Sequence, residues 1–530
     1  MNYAKNYGTR TTPQSQAIPG SGQVANSAGG FSWRIDDWML LDRFLVLGTE
    51  GGSYYASEKK MTYQAGEATC RCIDADGVRV VKQVVEISHS GRAPKNDPAI
   101  FVLALCAGVG DDLTRKAALE AVPKVCRTGT HLFTFVECVE QFRGWGRGLR
   151  TAMSEWYTEK SVDDVAYQMV KYKQRGNWSH RDVLRLCHPV IHDVTHSDMP
   201  IMNNLFRWAV GKPVELPLPG VVQASEQMAQ AKSAKEVIAI LNPCKNCPWE
   251  AVPTEFLGDA KVWEVLLPRL PYTAMIRNLG RMTANGALNA NNFSDVTNRL
   301  VHREGLRGAR IHPVSVLSAL LTYQQGHGMK GSLSWNPLRP IVDALDAAFY
   351  LSFGNVEPTG KRLMLALDVS GSMSMGGIVN IPGLTPRVGS AAMSLVTASV
   401  ESHYHIHGFS TKFVPLSISP RQRLDDAVRA ISDLPFSGTD CALPMLWALE
   451  NKVEIDTFVV YTDNETWSGK VHPSQALRRY RDTMGIPAKL VVVGMVSNDF
   501  SIADPRDAGM LDVVGFDTAT PNVISDFAKQ

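Results

Sequence analysis

The chain has 530 residues, of which 45% are hydrophobic and 20% charged, with a formal net charge of +2. Such a composition fits a soluble folded protein of two to four domains, or a long repeat array with one compact domain. The near-neutral balance excludes nucleic-acid recognition by whole-chain charge, so any such site has to be a local basic patch.

Residues 1–30 are polar and rich in Gly, Ser, Asn and Gln. They lack the apolar centre of a secretion signal and predict a disordered tail. No apolar run is long enough to span a bilayer, so no membrane contact is expected. The nine cysteines are scattered and mostly sit in apolar runs, as Cys106 does, which suits a reducing, cytoplasmic compartment.

From Trp33 to about Tyr350, apolar residues recur at spacings of three and four. Short breakers punctuate them at Gly108–Gly110, Gly129, Gly144–Gly148 and Pro213–Pro219. A long run of helices without strand signals predicts an array of helix pairs, although no fixed repeat period is visible.

Within this region, residues 141–188 carry nine Lys or Arg against five Asp or Glu, with interleaved aromatics. Cations neutralise phosphates, and arginine and aromatic planes stack on unpaired bases. Lys171 and Arg175 are four apart, which predicts a shared helix face. Ser179 is placed to cap a second helix presenting Arg181, Arg185 and His188. Local charge adds His180 and Arg147. A pair of solvated helix faces is the plainer reading of the same charges. Farther on, Cys244 and Cys247 form a lone CxxC with no second pair to complete a zinc site, so a surface thiol pair is expected.

Near Pro358 the pattern changes. Short apolar runs ending in Asp, Ser or Gly alternate with helical segments, which predicts βαβ units and a doubly wound parallel sheet. The boundary is expected within Gly354–Arg362, with the helical domain at 31–356 and the α/β domain at 357–530.

The first strand runs into Asp368, Ser370 and Ser372, at the sheet end where open α/β folds bind ligands. Thr439 and Asp463 fall on two further strand-end loops. These are hard oxygen donors, suited to Mg²⁺ first, or to Mn²⁺ or Ca²⁺. Water or a partner's carboxylate would complete the set. Taken alone, the D-x-S-x-S run would more commonly be a helix cap. With no general base or second carboxylate cluster beside it, the site does not predict hydrolysis. His405 and His407 share a strand face and are expected to be packing or surface residues.

The five residues resemble the metal-ion-dependent adhesion site of von Willebrand factor A domains. From Leu47 onward the chain resembles the Ro autoantigen, or TROVE-domain, family, through THLFTF, WGRGLR, YKQRGNWSHRD, RNLGRMTANG, VEPTGKR, GTDCALPM and TDNE among others. A bacterial member is the specific expectation. The stretch 190–251 carries none of these motifs. The resemblance implies a ring of HEAT-like helical repeats closed by a von Willebrand factor A-like domain, and a non-enzymatic RNA-binding protein. It implies contacts of Lys171, Arg175 and His188 with small noncoding Y RNA. It also implies single-stranded 3′ ends of misfolded RNA in a central hole, and an associated 3′-to-5′ exoribonuclease in RNA quality control. An adhesion-type module that grips a partner's acidic side chain through the metal is the alternative. A closed ring built from one chain needs no second copy, so a monomer is expected.

Overall fold

The computed structural model describes residues 11–49, 58–93, 95–189, 199–290, 293–309, 311–328, 332–353, 358–374, 385–419, 422–432, 438–514 and 520–529. Residues 11–34 are not a free tail. Strands β1 (Val24–Ala25) and β2 (Phe31–Arg34) pair antiparallel, and β2 pairs in turn with a C-terminal strand, Ser501 facing Trp33. Polar composition misleads here because the polar groups bond to another domain rather than to water. Gln14 is fully buried and Asn26 nearly so. The first ten residues of the expected tail lie outside the described residues.

The helical domain follows. Its first half comprises α1 (Asp37–Leu47), α2 (Glu58–Ser90), α3 (Asp97–Val109), α4 (Asp112–Glu120), α5 (Val122–Val125) and α6 (Gly129–Phe142). Next come α7 (Arg147–Thr158), α8 (Val162–Lys171), the hairpin β3 (Gln174–Arg175) and β4 (Trp178–Ser179), and α9 (His180–Cys187). The second half holds α10 (Met199–Ala209), α11 (Gly220–Gln230), α12 (Ala234–Leu241), α13 (Ala260–Leu266) and α14 (Tyr272–Ala284). It ends with α15 (Phe293–Leu300), α16 (Arg303–Gly308), α17 (Pro313–Gln324) and α18 (Arg339–Leu351). Side-chain caps start many of these helices: Asp36 accepts from Met39 N, and Thr128, Ser161 and Ser233 act alike. Apolar faces meet in one continuous core around Trp156, Phe133 and Trp263.

The two ends of the array meet. The His312 ring, capping α17, bonds at 2.9 Å to the carbonyl of Arg92, just beyond α2. Arg92 donates to the carbonyl of Val514 in the C-terminal domain, and the Arg423–Asp343 ion pair joins α18 to that domain. The helical array thus closes on itself and on the C-terminal domain.

That domain contains β5 (Leu363–Asp368), α19 (Pro386–Val400), β6 (Tyr404–Phe409), β7 (Phe413–Pro415), α20 (Leu424–Ser432), α21 (Leu443–Glu450) and β8 (Thr457–Thr462). It continues with α22 (Pro473–Met484), β9 (Lys489–Gly494), β10 (Phe500–Ser501), β11 (Met510–Val514) and α23 (Thr520–Lys529). The six-stranded sheet has the order β11-β9-β8-β5-β6-β7 and is parallel except for β7. Its central strand β5 is buried along its whole length, and alternate residues serve different cores. Leu365 and Leu367 join the core of α19, whereas Met364 and Ala366 join that of α21 and α22. This is the doubly wound arrangement expected from the strand–helix alternation.

Candidate metal and RNA sites

β5 lies between β8 and β6, so its carboxyl end sits where three strand ends converge. Asp368 is fully buried there. One carboxylate oxygen accepts from the Ser370 amide at 2.9 Å, the other from the Thr462 hydroxyl at 2.7 Å. The Ser370 and Ser372 hydroxyls are 3.0 Å apart on the turn that follows. Asp463, at the end of β8, is bonded by the Ser372 hydroxyl.

Burial raises the pKa of both carboxyls, and the Asp463 charge pushes Asp368 up further. Four of the five expected ligands are therefore brought together. Thr439 is buried on the neighbouring loop, whose Cys441 feels the Asp368 charge. Its carbonyl accepts from Trp467 N, and its hydroxyl bonds to no described residue. All these donors are oxygens, and two of them are carboxylates crowded in a poorly solvated site. A hard divalent cation would neutralise that crowding, so the residues fit one.

Two supports of these loops escaped the sequence reading. The Arg387 guanidinium donates to the carbonyls of Val369, at 2.6 Å, and Ser370, at 3.0 Å. The N-terminal segment clasps the other two loops. Gln14 donates to Asp440 at 2.7 Å and to the Val471 carbonyl at 2.8 Å, and the Thr466 hydroxyl bonds back to it. Asn26 donates to the Thr466 carbonyl at 2.8 Å, and the Ser27 amide to Glu465 at 2.9 Å. Gly30 runs so close that a Cβ there would lie 2.0 Å from the Thr466 carbonyl oxygen. Only long-range pairing reveals these roles, since Gln14 and Asn26 read locally as linker residues.

The basic region departs in part from its expected form. α8 ends at Lys171, so Lys171 and Arg175 do not share a helix face. Arg175 lies in β3 opposite Trp178, across a two-residue Gly176–Asn177 turn with Gly176 at φ 55°. Glycine adopts that backbone freely, and the turn overrides helical spacing. Arg175 is exposed, 3.5 Å from the Asp97 carboxylate. The Lys171 ammonium is half-buried, 3.1 Å from the Tyr167 hydroxyl and over the rings of Tyr167 and Tyr172. Burial lowers its pKa, but the two tyrosines and Glu250 outweigh that and raise it.

Ser179 caps α9 in a reciprocal capping box with Asp182, as its position predicts. Arg181 and Arg185 face outward one turn apart, and His188 is exposed at the helix end with φ 46°. Arg147 is exposed at the start of α7, the helix on which α9 packs.

His180 is a correction: it points inward and is 4% exposed. Its ring bonds to the Tyr157 hydroxyl at 2.8 Å and abuts Phe133 with ring centroids 4.8 Å apart. Burial pushes its pKa down to about 4. One residue earlier on the same helix turn, it belongs to the core rather than the surface. Arg143, Arg150 and Lys173 are exposed in the same stretch and were visible in the charge count. Arg185 also borders an open depression of about 550 Å³ with Glu137, Glu140 and Asp182, so the face is not uniformly positive.

Elsewhere, Cys244 and Cys247 are free thiols but not a surface pair, because Cys247 is buried and its pKa raised to about 12 by burial. His407 packs flat on Phe413 at 4.4 Å while His405 is exposed. No described helix is long and apolar enough to cross a membrane.

Comparison with known proteins gives a consistent result. The TROVE domain family matches residues 24–216 and 244–322, and the Ro60 vWA domain family matches residues 362–528. The break at 217–243 falls inside the stretch that carries no family motif. The chain is 42% identical over 511 residues to RNA-binding protein RO60 of Deinococcus radiodurans, covering 96% of this chain and 95% of the relative. It is 37% identical over 580 residues to RNA-binding protein RO60 of Caenorhabditis elegans, covering 96% and 90%. The crystal structure of the Deinococcus radiodurans RO (RSR) protein superposes with a TM-score of 0.71 at 41% identity, covering 93% of this chain and 99% of that one.

Proposed function

Because this chain belongs to the Ro60 family of TROVE-domain proteins, we propose that it is a non-catalytic RNA-binding protein that holds a small structured RNA of the Y type. The exposure of Arg147, Arg175, Arg181, Arg185 and His188 on neighbouring elements carries this reading. Each exposed cation that meets a phosphate releases a condensed counterion, which drives binding without reading sequence. Lys171 is held by its tyrosines at the base of the hairpin, where its charge is fixed in place rather than free to swing. The closed helical array supports a second RNA mode, in which single-stranded 3′ ends of misfolded RNA enter a central opening. An exoribonuclease working on those ends would give the protein a role in RNA quality control.

A second reading concerns the C-terminal domain. Asp368, Ser370, Ser372, Thr439 and Asp463 would hold a divalent cation, Mg²⁺ by preference. The cation would supply Lewis acidity toward one incoming carboxylate, and the buried carboxylate pair favours this reading. Chain residues set the geometry: Arg387 and Gln14 fix the loops, and Thr462 orients Asp368. An acidic side chain of a protein partner is the ligand this arrangement would accept.

The test is a mobility shift with purified protein and total small RNA of the source cell, sequencing the bound fraction. Wild type should enrich one or two structured RNAs, and Lys171→Glu/Arg175→Glu should lose them while its circular dichroism stays that of the folded protein. Equal enrichment by the variant would remove this face from RNA binding.

A further inference from the structure

A cavity of about 430 Å³ opens between α14 and α17 and shares no residue with either site above. Its volume lies in the usual range for small-molecule sites, roughly 300–1,000 Å³. Arg277 and Arg281 line it from one face of α14, four residues apart, with Lys95 beside them. Two like charges at that spacing repel each other. Among the described residues neither arginine has an ion-pair or hydrogen-bond partner, and no Asp or Glu lines the cavity. From the facing helix α17, Ser315, Ser318 and Thr322 present hydroxyls that bond to no described side chain. Arg277, Arg281 and the three hydroxyls thus line the cavity with no described side chain bonded to them and no described acid in the lining.

One wall is aromatic. The Trp335 indole donates to the Tyr323 carbonyl at 2.9 Å and stacks on the Tyr323 ring with centroids 6.0 Å apart. It lies flat over Gly280, between the two arginines, where an added Cβ would come within 2.6 Å of the ring. The glycine therefore lets the ring sit beside the cations. Paired guanidinium groups match phosphate oxygens, and with the indole faces taken by Tyr323 and Gly280 its edge can meet a planar base.

We infer that this cavity binds a single nucleotide, its phosphate on Arg277, Arg281 and the α17 hydroxyls and its base against Trp335. The nucleotide can be free or the phosphorylated end of an RNA strand, and the second source rests on the RNA-binding reading above.

The test is calorimetry and tryptophan fluorescence on the full chain with adenosine monophosphate, adenosine, and a short oligoribonucleotide with and without a terminal phosphate. Adenosine monophosphate or the phosphorylated strand should bind, with adenosine weaker by about tenfold or more. Arg277→Gln/Arg281→Gln should lose that binding by a similar factor, Gly280→Ala should weaken it, and Lys171→Glu/Arg175→Glu should leave it intact. Response to the phosphorylated strand alone would assign the strand end as the ligand. Equal binding by Arg277→Gln/Arg281→Gln would overturn the inference, and so would failure of both phosphorylated ligands. Structured-RNA binding lost only in Lys171→Glu/Arg175→Glu would sustain the RNA reading independently.

Discussion

His180 and Arg181 are adjacent in the chain, yet one ring is sealed among Tyr157, Trp156 and Phe133 and the other side chain faces water. Charge counting treats both as basic; only helix phase separates them, and the phase depended on where α9 begins. Arg181, Arg185 and His188 were legible because Ser179 marked that start. Arg175 was misplaced because a Gly–Asn turn looks like a helical gap when spacing alone is read. Arg181→Glu/Arg185→Glu should weaken structured-RNA binding without lowering stability, whereas His180→Ala should cost about 2–4 kcal/mol of stability through a cavity and an orphaned Tyr157 hydroxyl. Buried histidines also set a pH response. Burial holds His131, His180 and His407 near a pKa of about 4, below the ordinary 6.5. The unfolded chain then binds more protons than the folded one between those values. The stability from keeping them neutral is complete above about 6.5 and is lost as pH falls toward 4. Denaturant melts at pH 7.5 and pH 5 should show the drop, and an unchanged midpoint would refute it.

The N-terminal segment shows what element-level reading could not supply. β2 has an aromatic strand pattern, but its partner β10 lies more than 460 residues away, and no local signal announces such pairing. The C-terminal strands β5, β8 and β9 were legible as buried apolar runs and β6 as a shorter alternating one, each running into a turn residue. The short edge strand β7, three residues of mixed burial, was not. If the segment holds the metal loops, deleting residues 1–30 should weaken Mg²⁺ or Mn²⁺ binding by about tenfold or more while the sheet's circular dichroism persists. Unchanged affinity would make the segment a passive cover. Gly30→Val should destabilise the protein by about 1–3 kcal/mol, because the new side chain would run into the Thr466 backbone. Asp368→Ala should abolish cation binding and spare RNA binding, as the two sites share no residue.

At the scale of the molecule, the join between domains rests on a buried cation. Arg43 of α1 is fully buried, donating to the carbonyls of Asn498 at 2.8 Å and Phe500 at 2.9 Å and to Asp512 at 2.6 Å. Gly494 leaves room for the guanidinium, 3.4 Å from where its Cβ would be. Arg43→Ala should cost about 3–5 kcal/mol by stranding the Asp512 charge. Helical and α/β regions were both readable as separate periodicities, but their docking was not, because an interface of this kind uses residues that look like ordinary core or loop. On the proposed function, exposed cations on α7, α9 and the β3–β4 hairpin hold RNA through its phosphates. The most direct test is the salt dependence of affinity for the enriched RNA, in wild type and in Arg175→Gln/Arg185→Gln. The slope of log affinity against log salt should be steep in wild type and shallower by roughly one per lost phosphate contact in the variant. A slope unchanged by the substitutions would place the RNA elsewhere on the molecule.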